Sequence, residues 1–310
     1  GAVHVFINDG AAAFDDRSID VAVDDWVFGG TYLTGDAAPG RDLAYVDADG
    51  RIAVVDGDGD GGMMERAPGP AIAPIVMTQY RDGSGDDRIA MIDTTGSFLL
   101  LIPIGNGNFA IAPGPNPPAV IPTALIVADV DRSGTMDFLM AAEDSVFRAL
   151  SPPGGGIPEA WEQVAEIDEA VIRDIAAADL GGDSDLDLAV VAGGAGRAVW
   201  VLISTEAGEE FVDGPAIDAG IAATAIRTGD ADGDDRPDLY AFNESETDDP
   251  QIVVLLSGAA QDFSERIDVR ADPPHEAVIA DFDGDGRDDF ALVSGTYADG
   301  ALEVWCSRLP

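Results

Sequence analysis

The feature that most limits how this 310-residue chain can fold is a nine-residue acidic motif that returns at an almost constant interval. Four copies stand clear: Asp129-Val-Asp131-Arg-Ser133-Gly-Thr135-Met-Asp137, Asp179-Leu-Gly-Gly-Asp183-Ser-Asp185-Leu-Asp187, Asp230-Ala-Asp232-Gly-Asp234-Asp-Arg236-Pro-Asp238 and Asp281-Phe-Asp283-Gly-Asp285-Gly-Arg287-Asp-Asp289. Their first aspartates are separated by 50, 51 and 51 residues. A fixed period of this length marks stacked supersecondary units, because one such unit cannot bury its own apolar face without neighbours. The same period, extended toward the N-terminus, reaches two worn copies at Tyr80 to Arg88 and Thr34 to Asp42, which makes six units.

The flanks of the motif repeat as well. Each loop runs into a short apolar stretch (Asp187 to Val191, Asp289 to Val293), then into a second apolar run such as Ala198 to Ile203. A small polar turn and a Phe follow, as in Gly105 to Phe109, Ser204 to Phe211 and Ser257 to Phe263. Short Val, Ile and Leu runs punctuated by Gly, Asp, Asn and Pro read as strands and hairpins. Four short strands per unit is the spacing of a β-propeller blade, so the expected fold is an all-β propeller, one domain spanning 1–310, with six blades and seven as the alternative. Helical periodicity is weak; Pro158 to Ala170 is the one candidate, and it sits where other units place the turn and fourth strand. Ala2 to Ile7, the Asn8-Asp-Gly turn and Phe14 resemble a third strand, turn and fourth strand, whereas the last unit stops at its third strand, Ala301 to Trp305. The N-terminal segment is therefore expected to complete the last blade and close the ring, with one third-strand segment left over. Gly1 to Val5 begins directly in an alternating strand pattern with no basic n-region, so a signal peptide is expected either to have been removed or never to have existed.

Composition narrows the function. Sixteen basic residues, all Arg, face 59 acidic ones for a net charge of −43, which excludes binding to nucleic acid through phosphate contacts. Hydrophobic residues make up 46% of the chain, enough for a core and against an acidic disordered tail. No run reaches the roughly 18 apolar residues of a membrane-spanning helix, so no membrane insertion is expected. Cys306 is the single cysteine, which rules out an intramolecular disulfide.

Loop positions 1, 3, 5 and 9 carry carboxylates or hydroxyls, and Gly often occupies position 4 or 6. Alternate oxygens in a tight loop can turn inward on one ion, position 7 adding its carbonyl, and six to eight oxygens at a flexible site suit Ca²⁺ better than Mg²⁺. Position 12 is apolar (Met140, Val190, Ala241, Leu292), so the loop is not an EF-hand, which has a bidentate Glu there.

This spacing, with the ninth-position Asp leading into a strand, resembles the FG-GAP and VCBS repeats of integrin-α-like propellers over most of the chain. The resemblance implies Ca²⁺ loops between the first and second strands of the blades. Carried over by position, the ligands of the two fullest loops are Asp281, Asp283, Asp285 and Asp289 with the Arg287 carbonyl, and Asp230, Asp232, Asp234 and Asp238 with the Arg236 carbonyl. A third set is Asp129, Asp131, Ser133 and Asp137 with the Thr135 carbonyl, weakened by the hydroxyl at position 5. In the fourth, Asp179, Asp183 and Asp187 remain, but Gly181 removes the position-3 ligand and occupancy rests on water or on Asp185. The loops at 34–42 and 80–88 are expected to be metal-free turns, with Arg88 supplying charge where an ion would lie. The expected load is two to four Ca²⁺. The Asp56 to Asp60 run lies at a third-to-fourth-strand turn and reads as a solvated hairpin.

The resemblance further implies a secreted or cell-surface module, monomeric, that binds a protein or glycan through its loop faces. Two other classes compete: a lectin with a single glycan site, and a polysaccharide lyase or hydrolase built on a propeller. His4 and His275 are the only imidazoles, and no nucleophile-elbow, zinc or P-loop motif is present, which argues against the enzyme. The four Trp residues, 26, 161, 200 and 305, do not recur at one position in every unit, against identical repeated sugar pockets.

Overall fold

The computed structural model describes residues 41–306 apart from 48, 58–62, 66–68, 70, 83–84, 106–107, 169, 194–197, 206–209, 246–249, 259–261 and 295–300; before 41 it describes backbone at 2–3, 6–8, 14–16, 19–20 and 23–31. Ala2–Val3, Phe6–Asn8, Phe14–Asp16 and Ile19–Asp20 are β1 to β4, paired β1 with β4 and β2 with β3. Then come five four-stranded antiparallel meanders. The first is β5 to β8 (Val23–Thr31, Arg41–Asp47, Ile52–Gly57, Met63–Glu65) and the second β9 to β12 (Pro74–Arg81, Asp87–Asp93, Phe98–Gly105, Asn108–Pro113). The third is β13 to β16 (Pro122–Ala128, Asp137–Ala142, Ser145–Ala149, Glu162–Glu166) and the fourth β17 to β20 (Val171–Ala178, Asp187–Gly193, Ala198–Thr205, Glu210–Asp218). The fifth is β21 to β24 (Ala225–Gly229, Asp238–Phe242, Ile252–Leu256, Glu265–Val269); a sixth sheet has three strands, β25 to β27 (Pro274–Ala280, Asp289–Ser294, Ala301–Trp305). Among the described residues there is no helix.

The second strands explain the stacking. All six residues of β14 and all five of β22 are buried, because both faces of each sheet are covered by a neighbouring sheet. The core is accordingly a series of five apolar clusters, each between consecutive sheets: one and two, two and three, three and four, four and five, five and six. The fourth strands join this packing through an aromatic at their start. Phe109, Trp161, Phe211 and Phe263 each lie in the cluster shared with the preceding sheet, and Trp161 packs edge-on against Phe98 at 5.2 Å.

First strands lie side by side, and Arg227 on β21 ties three of them together. Its guanidinium donates to Asp174 of β17 at 2.6 Å and to Glu276 of β25 at 3.0 Å, while Asp174 also accepts the Ile226 N–H at 2.9 Å.

The segment 158–170, a weak helical candidate standing where the other units have a turn and fourth strand, carries the fourth strand β16, paired with β15 from Ser145↔Glu166 to Arg148↔Glu162. Sheet context overrides a weak helical period there. Asp56 and Gly57 end β7, opposite Met64 and Met63 of β8, while the rest of the 56–60 run lies outside the described residues; His275 lies within β25.

Candidate metal loops

The four full motifs occupy the same place, the connection from first to second strand: β13 to β14, β17 to β18, β21 to β22 and β25 to β26. In each, positions 4 and 6 take the left-handed conformation: Arg132 and Gly134, Gly182 and Ser184, Gly233 and Asp235, Gly284 and Gly286. Glycine is frequent there because a side chain at positive φ costs about 1–2 kcal/mol.

Those two reversals wrap the backbone around the first aspartate. Asp230 accepts the N–H groups of Gly233, Asp234 and Asp235 at 2.7, 3.0 and 2.8 Å; Asp281 accepts those of Gly284, Asp285 and Gly286, and Asp179 those of Gly182, Asp183 and Ser184. Positions 3 and 5 make the short turn that aspartate favours, accepting the N–H two residues on: Asp131 from Ser133, Asp232 from Asp234, Asp285 from Arg287.

Position 9 is fully buried in all four loops: Asp137, Asp187, Asp238 and Asp289 are each 0% exposed. One oxygen holds the loop start, accepting from Val130, Gly181, Ala231 and Phe282 respectively. In three loops the other accepts an N–H at the end of the third strand, from Ser151 at 2.8 Å, Ser204 at 2.8 Å and Ser257 at 2.7 Å. The carboxylate thus staples its loop to the third strand of its own sheet. These serines were not singled out from the sequence, although a Ser ending the third strand was there as the signal.

The chemistry of the donor set fits a hard cation in three loops. Carboxylate oxygens of Asp129, Asp131 and Asp137 lie within 4.8 Å of one another, as do those of Asp230, Asp232 and Asp234 and those of Asp281, Asp283 and Asp285. Asp129 Oδ1 is buried without a hydrogen-bond partner, an orphaned oxygen beside two further carboxylates. Asp238 and Asp289 therefore stand in the wall of their loops more than at the point of convergence, although Asp289 does approach Asp283 and Cys306. Ser133 and Thr135 hydroxyls bond to each other at 2.6 Å beside Asp131. Arg236 folds its guanidinium back on Asp234 and holds that carboxyl low, while burial and the neighbouring Asp234 charge raise Asp232. The 179–187 loop is not among the described acidic clusters. In the worn loop at 80–88, Arg88 pairs with Asp82, while the loop at 34–42 lies mostly outside the described residues.

Burial pushes Asp137 and Asp238 up to about 6, against the pull of their two N–H donors, and raises Asp187 for the same reason. An acid raised on folding keeps its proton in the folded state where the unfolded chain has lost it, so its contribution is present below about pH 4 and lost as pH rises through about 6. Denaturant titrations in chelator should show stability falling across that window, on the order of 1.4 kcal/mol per pKa unit for each group, with a shallower slope in Asp137→Asn. A stability that rises over the same window in chelator would refute this account.

The fold and the loops define an all-β propeller with acidic first-to-second-strand loops. No family model matches the chain, and no curated protein matches it. Solved structures do resemble it. A lectin of Agrocybe aegerita that recognises non-reducing terminal N-acetylglucosamine superposes with a TM-score of 0.62 at 16% identity, covering 98% of this chain and 88% of the other. BBS1N in complex with ARL6DN gives 0.60 at 13% identity in a lead-soaked crystal and 0.64 at 12% in a mercury-soaked one, with coverage of 98% and 84% in both.

Proposed function

We propose that this chain is a Ca²⁺-stabilised propeller that acts outside the cell as a binding module for a protein or glycan partner. The observation that carries it is the convergence of three carboxylates in each of three equivalent loops, on a fold whose structural neighbours include a glycan-recognising lectin and a propeller in a protein complex. Asp129, Asp131 and Asp137, Asp230, Asp232 and Asp234, and Asp281, Asp283 and Asp285 would hold the ions, which supply positive charge where like charges otherwise repel. Extracellular Ca²⁺ is abundant enough to fill weak sites of this kind. Three ions carry 6 positive charges against a net −43, so the surface stays acidic and the ions act as staples. Native mass spectrometry and thermal unfolding after chelation, then with Ca²⁺ or Mg²⁺, test the metal; glycan arrays and protein capture with the Ca²⁺-loaded form test the partner. A Ca²⁺-specific gain with three bound ions supports the reading, and no bound ion sinks it.

The six-bladed ring is part of the same proposal. Blade six has three strands among the described residues, and between it and blade five lies a cavity of about 460 Å³ lined by Tyr240, Val254, Ile267, Phe290 and Trp305. That is where the other blades place the fourth-strand aromatic, so an aromatic from the N-terminal segment, Phe14 by its place in the unit, is the expected occupant. Phe14→Ser should lower the thermal midpoint by about 5 °C or more, as loss of a buried aromatic does; an unchanged midpoint would reject closure by this segment.

A further inference from the structure

We infer that the 179–187 loop takes its positive charge from the neighbouring blade: Arg132, in the 129–137 loop, is its resident cation, in place of a metal ion. This rests on the reading of the other loops as Ca²⁺ sites only for the comparison; the contact itself is independent of it.

Arg132 Nε donates to the Ser184 carbonyl at 2.9 Å and its NH2 group to the Asp183 carbonyl at 3.0 Å, while Nε also lies 2.9 Å from Asp185 Oδ1. The guanidinium therefore meets two consecutive carbonyls and a carboxylate, from positions 5, 6 and 7 of one loop. A planar fork of donors matches such a set in a way a point charge on a lysine does not. The position of Arg132 in its own loop sharpens the argument. It stands at position 4 with φ +57°, where the other three loops have Gly182, Gly233 and Gly284. A long side chain in the left-handed region is disfavoured, so the strain is offset by what the side chain reaches.

The receiving loop has the complementary defect. Gly181 occupies position 3, where the other loops have Asp131, Asp232 and Asp283, and its acids do not converge as theirs do. The carbonyls of Asp183 and Ser184 are turned to the guanidinium. One blade thus gives up a glycine, the next gives up a ligand, and the pair is exchanged for an ion-independent link between blades three and four.

The test is Arg132→Gly, which suits the backbone and removes the whole side chain, with Asp185→Asn, which keeps the side chain's shape and removes its charge, as the partner variant. In chelator both should unfold about 3–6 °C below the parent. In Ca²⁺, native mass spectrometry should count three ions on the parent, with none lost on Asp179→Asn. Parent-like midpoints for both variants in chelator, or loss of one ion on Asp179→Asn, would overturn the assignment. A parent that binds no Ca²⁺ while Arg132→Gly still loses stability would remove the metal reading and leave the clamp in place.

Discussion

Replacing Asp238 by Ala should destabilise the protein by about 2–6 kcal/mol whether or not Ca²⁺ is present. Its carboxylate is fully buried and accepts the N–H groups of Ala231 and Ser257 at 2.8 and 2.7 Å, and each buried donor left without a partner costs about 1–3 kcal/mol. The comparison is Asp235→Asn, at an exposed position where Asn tolerates the left-handed backbone; it should stay within about 0.5 kcal/mol of the parent. Equilibrium denaturation decides the matter, and a cost under 1 kcal/mol for Asp238→Ala would show that the ninth-position carboxylate is not a staple.

The second large effect is the metal itself. At free Ca²⁺ a hundredfold above the dissociation constant, each site adds about 2.7 kcal/mol, so three loops add about 8 kcal/mol. Net stabilities of domains are about 5–15 kcal/mol, which places the chelated protein close to its unfolding threshold. The Asp281 loop should account for one of the three increments, and Asp283→Asn should remove it without disturbing the turn, because Asn can still accept the Asp285 N–H that Asp283 accepts at 3.2 Å. Mg²⁺ should rescue poorly, as it parts with its waters reluctantly. Equal midpoints in chelator and in Ca²⁺ would leave the loops as turn formers.

Much of this could be read from the chain. The 50-residue period located the four full loops, and apolar runs such as Asp187 to Val191 gave the second strands, because a strand covered on both faces needs an unbroken apolar run. Gly at positions 4 and 6 signalled the left-handed turns that the loops adopt. Local period alone was the weaker guide: Pro158 to Ala170 has a weak helical period, whereas its place in the unit marked it as turn and fourth strand, and strand pairing outweighs propensity in so short a segment.

The sequence by itself determined the repeat, the strand-rich blade and which carboxylates share a loop, because those depend on spacing along one segment. Only the tertiary structure decided what each carboxylate meets. Asp137, Asp187 and Asp238 accept from serines 14 to 19 residues further on, which recur in the sequence without showing what they bond, and Arg132 reaches a loop about 50 residues away, a contact that leaves no periodic trace. Hydrogen bonds across blades depend on how the sheets stack, and stacking is set by the apolar clusters between them, which no single repeat contains.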